Sequence, residues 1–356
     1  MDINLQKKGD CTMKTRGGTV MIRKVFAFMV IATFILGITG FANAKDDFPN
    51  RPITLNIGYK LGATTGLTGT VLAKILEEYL GQPIAIVDKS GATATIALGQ
   101  VARAPADGYT LAIGSYSSIM TTPYEYDLPF DPMKDVDPIY AYTIYHAGFA
   151  VVNDSPWKTM REYLDWAKAH PGESKWASSG AMTFGHLVLE YIGFKEKIDW
   201  RPIGAKGGAE ATKLALGKQI NGLIMSSSQV PLIINGQMRY LCDFGYPKTP
   251  PIFAEFVKPE DLKNCWTLEQ LGYPELAFVN PVIVYIRAGT PPEIRKKLQD
   301  AIRKATHDQR LKDITGKFSM PVVHDGGDEF FEKTKGPLQK LTDEIMTGMG
   351  RTKIKK

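Results

Sequence analysis

The feature that most constrains the fold of this 356-residue chain is a regular alternation of short β-rich runs and helix-like stretches. A β-rich run at 53–59 is followed by a Gly/Thr loop and then by apolar residues at helical spacing over 67–79. The same order repeats with a strand at 83–87, an Ala-rich helix ending at Val101 and a strand at 109–114. Repeated βα units bring their strands together side by side, so the pattern predicts an α/β fold with a parallel sheet.

A second set of units follows the apolar run at 147–152, which we interpret as a strand that crosses into another lobe. Its predicted elements are helix 159–170, strand 175–178, helix 183–194, strand 198–203, helix 208–216, strand 220–225 and a short helix that ends at Ile234. The run at 279–286 is interpreted as the return strand, and helices at 292–307 and 329–346 follow it.

The first 44 residues predict export. Starting at Met21, two basic residues precede an apolar run at 25–38 and then Ala42-Asn43-Ala44, the small-x-small pattern that signal peptidase cuts. The run is roughly fourteen residues, shorter than the about twenty that a membrane span needs, so no membrane span is expected. No cysteine follows the predicted cut after Ala44. We therefore expect a periplasmic protein without a lipid anchor, whose true start is near Met21.

The length that remains after export predicts two domains. About 312 residues are more than one ordinary core holds. We predict that lobe 1 contains residues 45–150 and 247–356 and that lobe 2 contains residues 151–246. Two α/β lobes joined by crossing strands would leave a ligand cleft between them.

The charge balance gives little support to a nucleic-acid partner. Removing residues 1–44 takes away six basic and two acidic side chains, so the net charge falls from +6 to about +2. The remaining basic tract is the short tail Lys353, Lys355 and Lys356. We expect no nucleic-acid partner.

Two cysteines, Cys242 and Cys265, remain in the exported chain. In an oxidising compartment they either form a disulfide or lie apart as two small core residues. Sequence spacing does not show whether their Cβ atoms meet, and the interpretation as two separate residues is favoured.

Four predicted strand-to-helix loops are built of small and hydroxyl-bearing residues. They are Gly62-Ala63-Thr64-Thr65-Gly66, Ser115-Tyr116-Ser117-Ser118, Ser178-Ser179-Gly180 and Gly204-Ala205-Lys206-Gly207-Gly208. Small residues let a ligand approach the backbone, and N–H groups at a helix start attract anions. For each loop taken alone, a plain turn is favoured over a binding site. Four such loops at the carboxyl ends of strands in two lobes predict a cleft that holds an anion.

Seven short stretches occur in an order typical of one protein family. They are Phe48-Pro49-Asn50-Arg51-Pro52-Ile53, Leu80-Gly81-Gln82-Pro83, Pro105-Ala106-Asp107-Gly108-Tyr109-Thr110-Leu111, Leu128-Pro129-Phe130-Asp131-Pro132 with Lys134-Asp135, His170-Pro171-Gly172, Lys206-Gly207-Gly208-Ala209 and Ala288-Gly289-Thr290-Pro291. Through them the chain resembles the periplasmic substrate-binding proteins of the tripartite tricarboxylate transporter family, also called Bug receptors. The resemblance implies a type II periplasmic binding protein, whose two lobes close on a small organic carboxylate and deliver it to a membrane permease.

The resemblance, together with the loops above, implies a set of ligand-binding residues. The set is Tyr59, Gly62, Ala63, Thr64, Thr65, Ser115, Ser117, Ser179, Gly180, Thr183, His186, Gly207, Gly208, Ala209, Met225 and Ser226. In such receptors backbone N–H groups, hydroxyls and bridging waters grip the carboxylate. We expect a monomer with no cofactor, no metal and no catalytic residue.

Two departures from the family pattern bear on the ligand. The family's first loop commonly reads as an aromatic-Pro-Ala-Gly-Gly run closing on an Asp, whereas this chain lacks the proline and has Gly66 in place of that Asp. The end of strand 220–225 also lacks an Asp that the family often carries there. Without these carboxylates, an anionic or uncharged ligand tail is favoured over an amine. We predict a mono- or dicarboxylate, with aromatic acids included.

The roles of several side chains near the loops can be interpreted in two ways. Lys60 either reaches a second carboxylate of the ligand or is solvated beside the cleft, and the solvated side chain is favoured. The apolar or aromatic side chains near the loops either line an apolar pocket or belong to ordinary packing. These side chains are Tyr59, Tyr116, Met182 and Phe184.

Two other functions remain open from sequence alone. An exported enzyme needs a recognisable nucleophile, acid–base pair or metal site, and the chain contains no Gly-x-Ser-x-Gly, Gly-x-Gly-x-x-Gly, phosphate-loop or His-Glu-x-x-His motif. Its five histidines lack metal-ligand spacing. His186 is either a hydrogen-bonding residue, which is favoured, or a catalytic base. A carboxylate-sensing receptor for a signalling partner would use the same closing cleft.

Overall fold

The computed structural model of the protein describes residues 48–180, 182–205, 207–245 and 262–354. From Pro49 onward the chain forms one compact unit. The predicted signal peptide at 1–44 and the predicted lobe boundary at 246/247 lie outside the described residues. In the described ranges, no helix has the length and apolar character needed to cross a membrane.

The described ranges contain eleven strands and eleven α-helices, which alternate along most of the chain. The strands are β1 (Ile53–Ile57), β2 (Ile84–Asp88), β3 (Thr110–Ser115), β4 (Val136–Tyr145), β5 (Ala147–Val152), β6 (Lys175–Ser178), β7 (Arg201–Gly204), β8 (Gly222–Ser226), β9 (Met238–Asp243), β10 (Trp266–Thr267) and β11 (Asn280–Arg287). The α-helices are α1 (Thr64–Leu80), α2 (Thr95–Arg103), α3 (Ser117–Met120), α4 (Met160–Ala169), α5 (Phe184–Glu196), α6 (Gly208–Leu216), α7 (Val230–Ile234), α8 (Leu268–Leu271), α9 (Pro292–Thr306), α10 (Gln309–Gly316) and α11 (Asp328–Gly348).

The first sheet has the strand order β2-β1-β3-β11-β4. Strand β1 pairs in parallel with both β2 and β3, which confirms the parallel arrangement predicted for the early βα units. Strand β11 runs antiparallel to β3 and β4, so the sheet is mixed. We call this sheet and the helices packed on it the first lobe.

The second sheet has the order β10-β9-β5-β8-β6-β7. Strand β6 pairs in parallel with β7 and β8, whereas β5 runs antiparallel to β8 and β9. We call this sheet and its helices the second lobe. The carboxyl ends of β6, β7 and β8 therefore lie along one edge, where the small-residue loops of this lobe begin.

The first crossing of the chain, from the first sheet to the second, takes place at a single residue. Strand β4 of the first sheet ends at Tyr145 and β5 of the second begins at Ala147, so His146 is the crossing residue. The return strand β11 starts beside this point, because Asn280 pairs with Tyr145. Phe244, at the end of β9, donates its backbone N–H to the Ala147 carbonyl at 3.0 Å. Both predicted crossing strands are present, β5 in the second sheet and β11 in the first, and the two points at which the chain crosses are adjacent.

Some elements differ from the sequence predictions for identifiable reasons. Strand β7 begins at Arg201 rather than at Ile198, because Lys197 adopts a left-handed conformation and the Ile198 N–H still bonds the Gly193 carbonyl at the end of α5. Strand β4 was missed because its residues are buried almost throughout and show no alternation. Strands β9 and β10 and helix α10 were also missed.

Both described cysteines are free thiols. Cys242 is fully buried in a hydrophobic cluster with Phe149 and Leu241. Cys265 packs instead against a second cluster, which contains Tyr240. The interpretation as two separate residues, rather than a disulfide, is confirmed.

Candidate ligand-binding site

The first-lobe part of the site lies where β1 and β3 end. Because these neighbouring strands are parallel, their following loops meet at one edge, and the Tyr59 hydroxyl lies 3.1 Å from Ser115 Oγ. Ser115 is held on two further sides: its N–H donates to Ser118 Oγ at 3.0 Å, and its carbonyl accepts from the Tyr285 hydroxyl at 2.9 Å. Burial raises the pKa of Tyr59. The phenol is therefore neutral and offers a hydrogen bond without charge.

Helix α1 begins inside the first loop without a side-chain cap. Its N-cap residue, Ala63, has no side-chain acceptor, and its first turn contains no acidic residue. Thr65, in that turn, is only 1% exposed, and its hydroxyl has no hydrogen-bond partner among the described residues. The first N–H groups of a helix lack intrahelical acceptors, so this helix start has unused donors beside an unused hydroxyl.

Gly66 has a steric reason to be glycine. A Cβ built there would lie 2.3 Å from the Lys60 carbonyl oxygen and 2.4 Å from Leu61 Cα. The loop folds back on the helix here, because the Ala63 N–H bonds the same Lys60 carbonyl at 2.8 Å. The space beside the backbone of Gly66 is filled, so an Asp does not fit there. Lys60 itself is exposed.

The second-lobe part of the site begins at the end of β6. Ser178 Oγ lies 2.9 Å from His186 Nδ1, 3.0 Å from the Gly180 carbonyl oxygen and 3.3 Å from Gly180 N. The Thr183 hydroxyl donates to the same Gly180 carbonyl at 2.9 Å and leaves the start of α5 uncapped. Ser179 is exposed at the tip of this turn. The loop is thus held from within by three side chains.

A glutamine fixes the remaining wall of the second lobe. Gln229 donates through Nε2 to the Gly208 carbonyl at 3.1 Å and to Thr212 Oγ1 at 3.0 Å. Its Oε1 accepts from the N–H and the hydroxyl of Ser226, at 2.7 and 3.0 Å. Gln229 therefore ties the end of β8 to the first turn of α6, which starts after Gly207. Met225 is buried in the hydrophobic cluster with Ala177, while Ala209 is exposed.

A contact between the lobes brings the two parts of the site together. Thr121 follows α3, and its hydroxyl lies 3.0 Å from the Ser117 carbonyl and 2.9 Å from the Met182 carbonyl. Met182 belongs to the second-lobe loop. The structure therefore places the Ser115–Ser117 turn next to the loop that contains Gly180 and Thr183.

Several titratable groups lie behind the described parts of the loops. Burial alone would raise the pKa of Glu190, but the hydrogen bond and charge of His186 and the charge of Arg351 outweigh it and lower that pKa. Burial raises the pKa of Asp243 to about 7 and lowers that of His146 well below its usual value. Within the described ranges, His, Cys, Asp and Glu form no group of three that could hold a metal ion.

Comparison with known proteins decides the family. A family model described as "Tripartite tricarboxylate transporter family receptor" matches residues 69–334. The chain belongs to this receptor family. A relative from Cupriavidus necator, "UPF0065 protein in gbd 5'region", is 31% identical over 324 residues, which are 88% of this chain and 95% of the relative.

Solved structures show that the receptor shares the two-lobed fold of this family. The periplasmic binding protein BugD aligns with a TM-score of 0.69 and 21% identity over 85% of this chain and 99% of its own. The R. palustris protein Rpa4515, solved with adipate, aligns with a TM-score of 0.71 and 21% identity over 86% and 99% of the two chains. The resemblance identified from short motifs is confirmed for family and for fold.

Two aromatic side chains of the receptor pack in the interior. The Tyr116 hydroxyl lies 2.6 Å from Thr334 Oγ1 in the terminal helix, and the Tyr116 ring meets Phe331 edge-on at 6.2 Å. The Phe184 ring packs on Phe278 at 5.0 Å. Tyr116 and Phe184 are fully buried, so ordinary packing accounts for both.

The predicted set of ligand-binding residues leaves out the residues that support the loops, although Ser178 belongs to one of the predicted loops. Ser178 carries the central hydroxyl of the second-lobe turn, and Gln229 bridges two elements. The signal for Gln229 was present as a capping box, with Ser226 at the start and a glutamine three residues later. No comparable signal marks Thr121, whose partner Met182 is 61 residues away in the chain.

Proposed function

We propose that this receptor captures a small organic carboxylate between its lobes in the periplasm and delivers it, chemically unchanged, to the membrane permease of a tripartite transporter. Membership of the receptor family supports the role in transport. The adipate in Rpa4515, a protein of the same fold, supports a carboxylate as the kind of ligand.

The observation that carries the proposal is the start of helix α1. An uncapped helix of 17 residues begins there, and the buried Thr65 hydroxyl beside it has no partner among the described residues. A carboxylate accepts hydrogen bonds from both kinds of group, and the positive end of the helix dipole favours its charge. Burying such a hydroxyl without a partner costs about 1–3 kcal/mol, which a bound acceptor would recover.

The binding residues that we propose are those predicted from the sequence, with Ser178 and Gln229 as their supports. Tyr59 and Ser115 contribute neutral hydroxyls from the first lobe, and the turn with the exposed Ser179 contributes from the second. The predicted loops contain no carboxylate, so no group in them pairs with an ammonium. A mono- or dicarboxylate, aromatic acids included, is therefore favoured over an amino acid.

Capture follows from the arrangement of the lobes. A ligand that contacts both the α1 start and the second-lobe turn binds the closed form more tightly than the open form, and this difference drives closure. The adjacent crossings at His146 and Asn280 are the proposed hinge. No chemical step is required, so the ligand leaves as it entered.

Isothermal titration of the exported protein tests the binding. Mono-, di- and tricarboxylates, adipate and aromatic acids are compared with amino acids. We expect saturable binding of one carboxylate class and none of amino acids. Selective binding of an amino acid through its ammonium, or no binding of any acid by folded, ligand-free protein, would contradict the proposal.

A matched pair of variants tests the site. Thr65→Val removes the unpartnered hydroxyl and should raise the Kd about tenfold or more, since a hydrogen bond to a charged group contributes about 1.5–3 kcal/mol. Thr70→Val, one turn further along, removes a hydroxyl that already bonds the Gly66 carbonyl at 2.7 Å and should leave the Kd unchanged. Equal affinities in both variants would place the ligand elsewhere.

Delivery is tested separately in proteoliposomes that contain the permease subunits. Uptake of the labelled acid should require this receptor, and Thr65→Val should reduce uptake in proportion to its lost affinity. Tight binding without any receptor-dependent uptake would argue for sensing rather than transport.

A further inference from the structure

We propose that Arg351, in the C-terminal segment, is a positioning residue for the second-lobe binding turn and acts through Glu190, His186 and Ser178. The inference rests on the proposed function, because it treats the turn at Ser178 to Gly180 as part of the ligand site. It adds a residue that lies 161 positions from Glu190 in the chain and outside every predicted loop.

The backbone at the end of helix α11 fixes the position of Arg351. Gly350 has φ +71, a left-handed conformation that a side chain would strain. Its N–H bonds the Thr347 carbonyl at 2.9 Å, and the Arg351 N–H returns to the Met346 carbonyl at 2.8 Å. These two bonds close the helix with a reversal of chain direction. The backbone of Arg351 is thereby fixed to the helix end.

The residues after Arg351 are anchored on the first lobe. The Ile354 N–H donates to the Pro123 carbonyl at 3.0 Å, and Lys353 Nζ lies 3.1 Å from Asp343 Oδ1. Ile354 and Lys353 also border a cavity of about 340 Å³ beside Pro123. Arg351 is thus held between an ordered helix end and an ordered tail.

The guanidinium of Arg351 contacts the second lobe at two points. Its Nη2 lies 3.1 Å from Glu190 Oε2, and its Nη1 lies 3.8 Å from Met182 Sδ. The Glu190 side chain is 19% exposed and the Arg351 side chain 40%, so the carboxylate is the more shielded half of the pair. Met182 is itself part of the binding loop. One side chain therefore reaches both the loop and the helix behind it.

A relay of polar contacts leads from Glu190 to the turn. Glu190 Oε1 lies 3.5 Å from His186 Nε2, and His186 Nδ1 lies 2.9 Å from Ser178 Oγ. The ring is also packed against Trp176 at 4.9 Å. A carboxylate beside Nε2 favours a proton on that nitrogen, which leaves Nδ1 as an acceptor for the single proton of the Ser178 hydroxyl. With that proton on the Nδ1 side, the Gly180 carbonyl, 3.0 Å from Ser178 Oγ, keeps the Thr183 hydroxyl as its donor. Ser178 Oγ then accepts from the Gly180 N–H.

The consequence is a defined geometry at Gly180. If Arg351 is removed, Glu190 loses its outer partner and can leave His186 for solvent. The imidazole then has no fixed orientation, and Ser178 is no longer directed towards Gly180. The turn should become more mobile and present its backbone less often in the form that binds a ligand.

Hydrogen exchange of the ligand-free exported protein tests positioning without knowledge of the ligand. Arg351→Ala should speed exchange of the amides around Ser178 and Gly180 by about tenfold or more. Arg351→Lys keeps a cation beside Glu190 and should restore most of the protection. Lys353→Ala is the matched control, because it removes a cation from the same segment that pairs with Asp343 instead. It should leave the turn unchanged.

A double variant separates the relay from a general loss of stability. In a Glu190→Gln background, Arg351→Ala should add no further exchange at the turn if Arg351 acts through Glu190. Additive effects, unchanged exchange in Arg351→Ala, or an equal effect of Lys353→Ala would overturn the proposal.

Affinity for adipate then distinguishes this inference from the proposed function. If the wild-type protein binds adipate, Arg351→Ala should weaken binding by about three- to tenfold, mainly through faster dissociation, and Arg351→Lys should restore it. An unchanged Kd in Arg351→Ala would overturn the role in binding. If the wild-type protein binds no carboxylate, the proposed function fails, whereas the exchange result still decides whether Arg351 positions the turn.

Discussion

The hydroxyl of Thr121 in the first lobe lies 2.9 Å from the carbonyl oxygen of Met182 in the second lobe. Thr121 is fully buried and Met182 is only 4% exposed, so water does not readily replace this contact. It joins the turn after Ser117 to the loop that is proposed to grip the ligand. The two lobes are therefore linked beside the proposed site as well as at the chain crossings.

Removing the hydrogen bond between Thr121 and Met182 should weaken ligand binding more than removing a neighbouring hydroxyl does. Thr121→Val leaves the Met182 carbonyl unpaired and should lower the free energy of unfolding by about 1–3 kcal/mol and raise the Kd for the ligand. Thr122→Val is the control, since its equally buried hydroxyl bonds the Ser118 carbonyl at 3.0 Å within the first lobe. Urea unfolding and titration calorimetry measure the two effects. Equal changes of Kd in both variants would show that the hydrogen bond between Thr121 and Met182 has no specific role in ligand binding.

Restoring the aspartate that the family commonly carries at position 66 should be harmful here. Gly66→Asp places a Cβ 2.3 Å from the Lys60 carbonyl, and the strain should cost about 1–3 kcal/mol of unfolding free energy or more. Gly62→Asp is the matched comparison, because nothing lies within 4 Å of a Cβ there. Thermal unfolding should show a clearly larger loss for Gly66→Asp. Similar melting temperatures would mean that the loop moves aside freely.

The buried Asp243 should make stability depend on pH. Burial raises its folded-state pKa to about 7, whereas the unfolded value is about 3.9. Between about pH 4 and 7 the folded protein holds a proton that the unfolded chain has released, so this group lowers the free energy of unfolding as pH rises.

Asp243→Asn removes that proton while keeping an acceptor for the Gly245 N–H. The stability of the variant relative to wild type should therefore increase with pH through this window, by at most about 1.4 kcal/mol per pH unit. His146 Nδ1 lies 3.6 Å from Asp243 Oδ1. Because the pKa of His146 is lowered, this group raises the free energy of unfolding as pH rises, opposite to Asp243. Denaturant unfolding at several pH values measures the difference. A difference that is constant from pH 4 to 7 would show that Asp243 is ionised in the folded protein.

The two cysteines should remain thiols in the exported protein. Although Trp266, next to Cys265, pairs with Cys242, both residues are free thiols, and burial raises the pKa of both, which suppresses the reactive thiolate. Alkylation of protein denatured without reductant should modify both residues. In the folded protein the partly exposed Cys265 should react before the buried Cys242. An intact mass two hydrogens lower, restored by reductant, would show a disulfide instead.

Residue pattern alone predicted the parts of the fold and site that depend on local order. Alternating strand and helix signals located β6 and α6 at their observed bounds, because Lys175–Ser178 and Gly208–Leu216 are short elements with clear breaks at both ends. The parallel pairing of β1 and β3 then brings Tyr59 to Ser115 without further information.

The parts that escaped prediction depend on contacts between distant segments. Strand β4 is an edge strand by sheet order, yet the Gly326 carbonyl accepts the Ala141 N–H at 2.8 Å and the Tyr142 carbonyl accepts the Val323 N–H at 3.1 Å. Because the segment at 323–326 covers this edge, β4 can carry apolar residues on both faces. It therefore lacks the alternation of polar and apolar residues that marks a strand. In the same way, Thr121 and Arg351 act through partners that no local pattern identifies.

The crossings at His146 and Asn280, which we propose as the hinge, lie next to each other. In that proposal the lobes rotate about the line through the crossings, and the Thr121–Met182 and Arg351–Glu190 contacts have to break or move for the lobes to part. The distance that each loop travels then grows with its distance from the line. Small backbone adjustments beside Tyr145 would become a wide displacement at the mouth of the cleft.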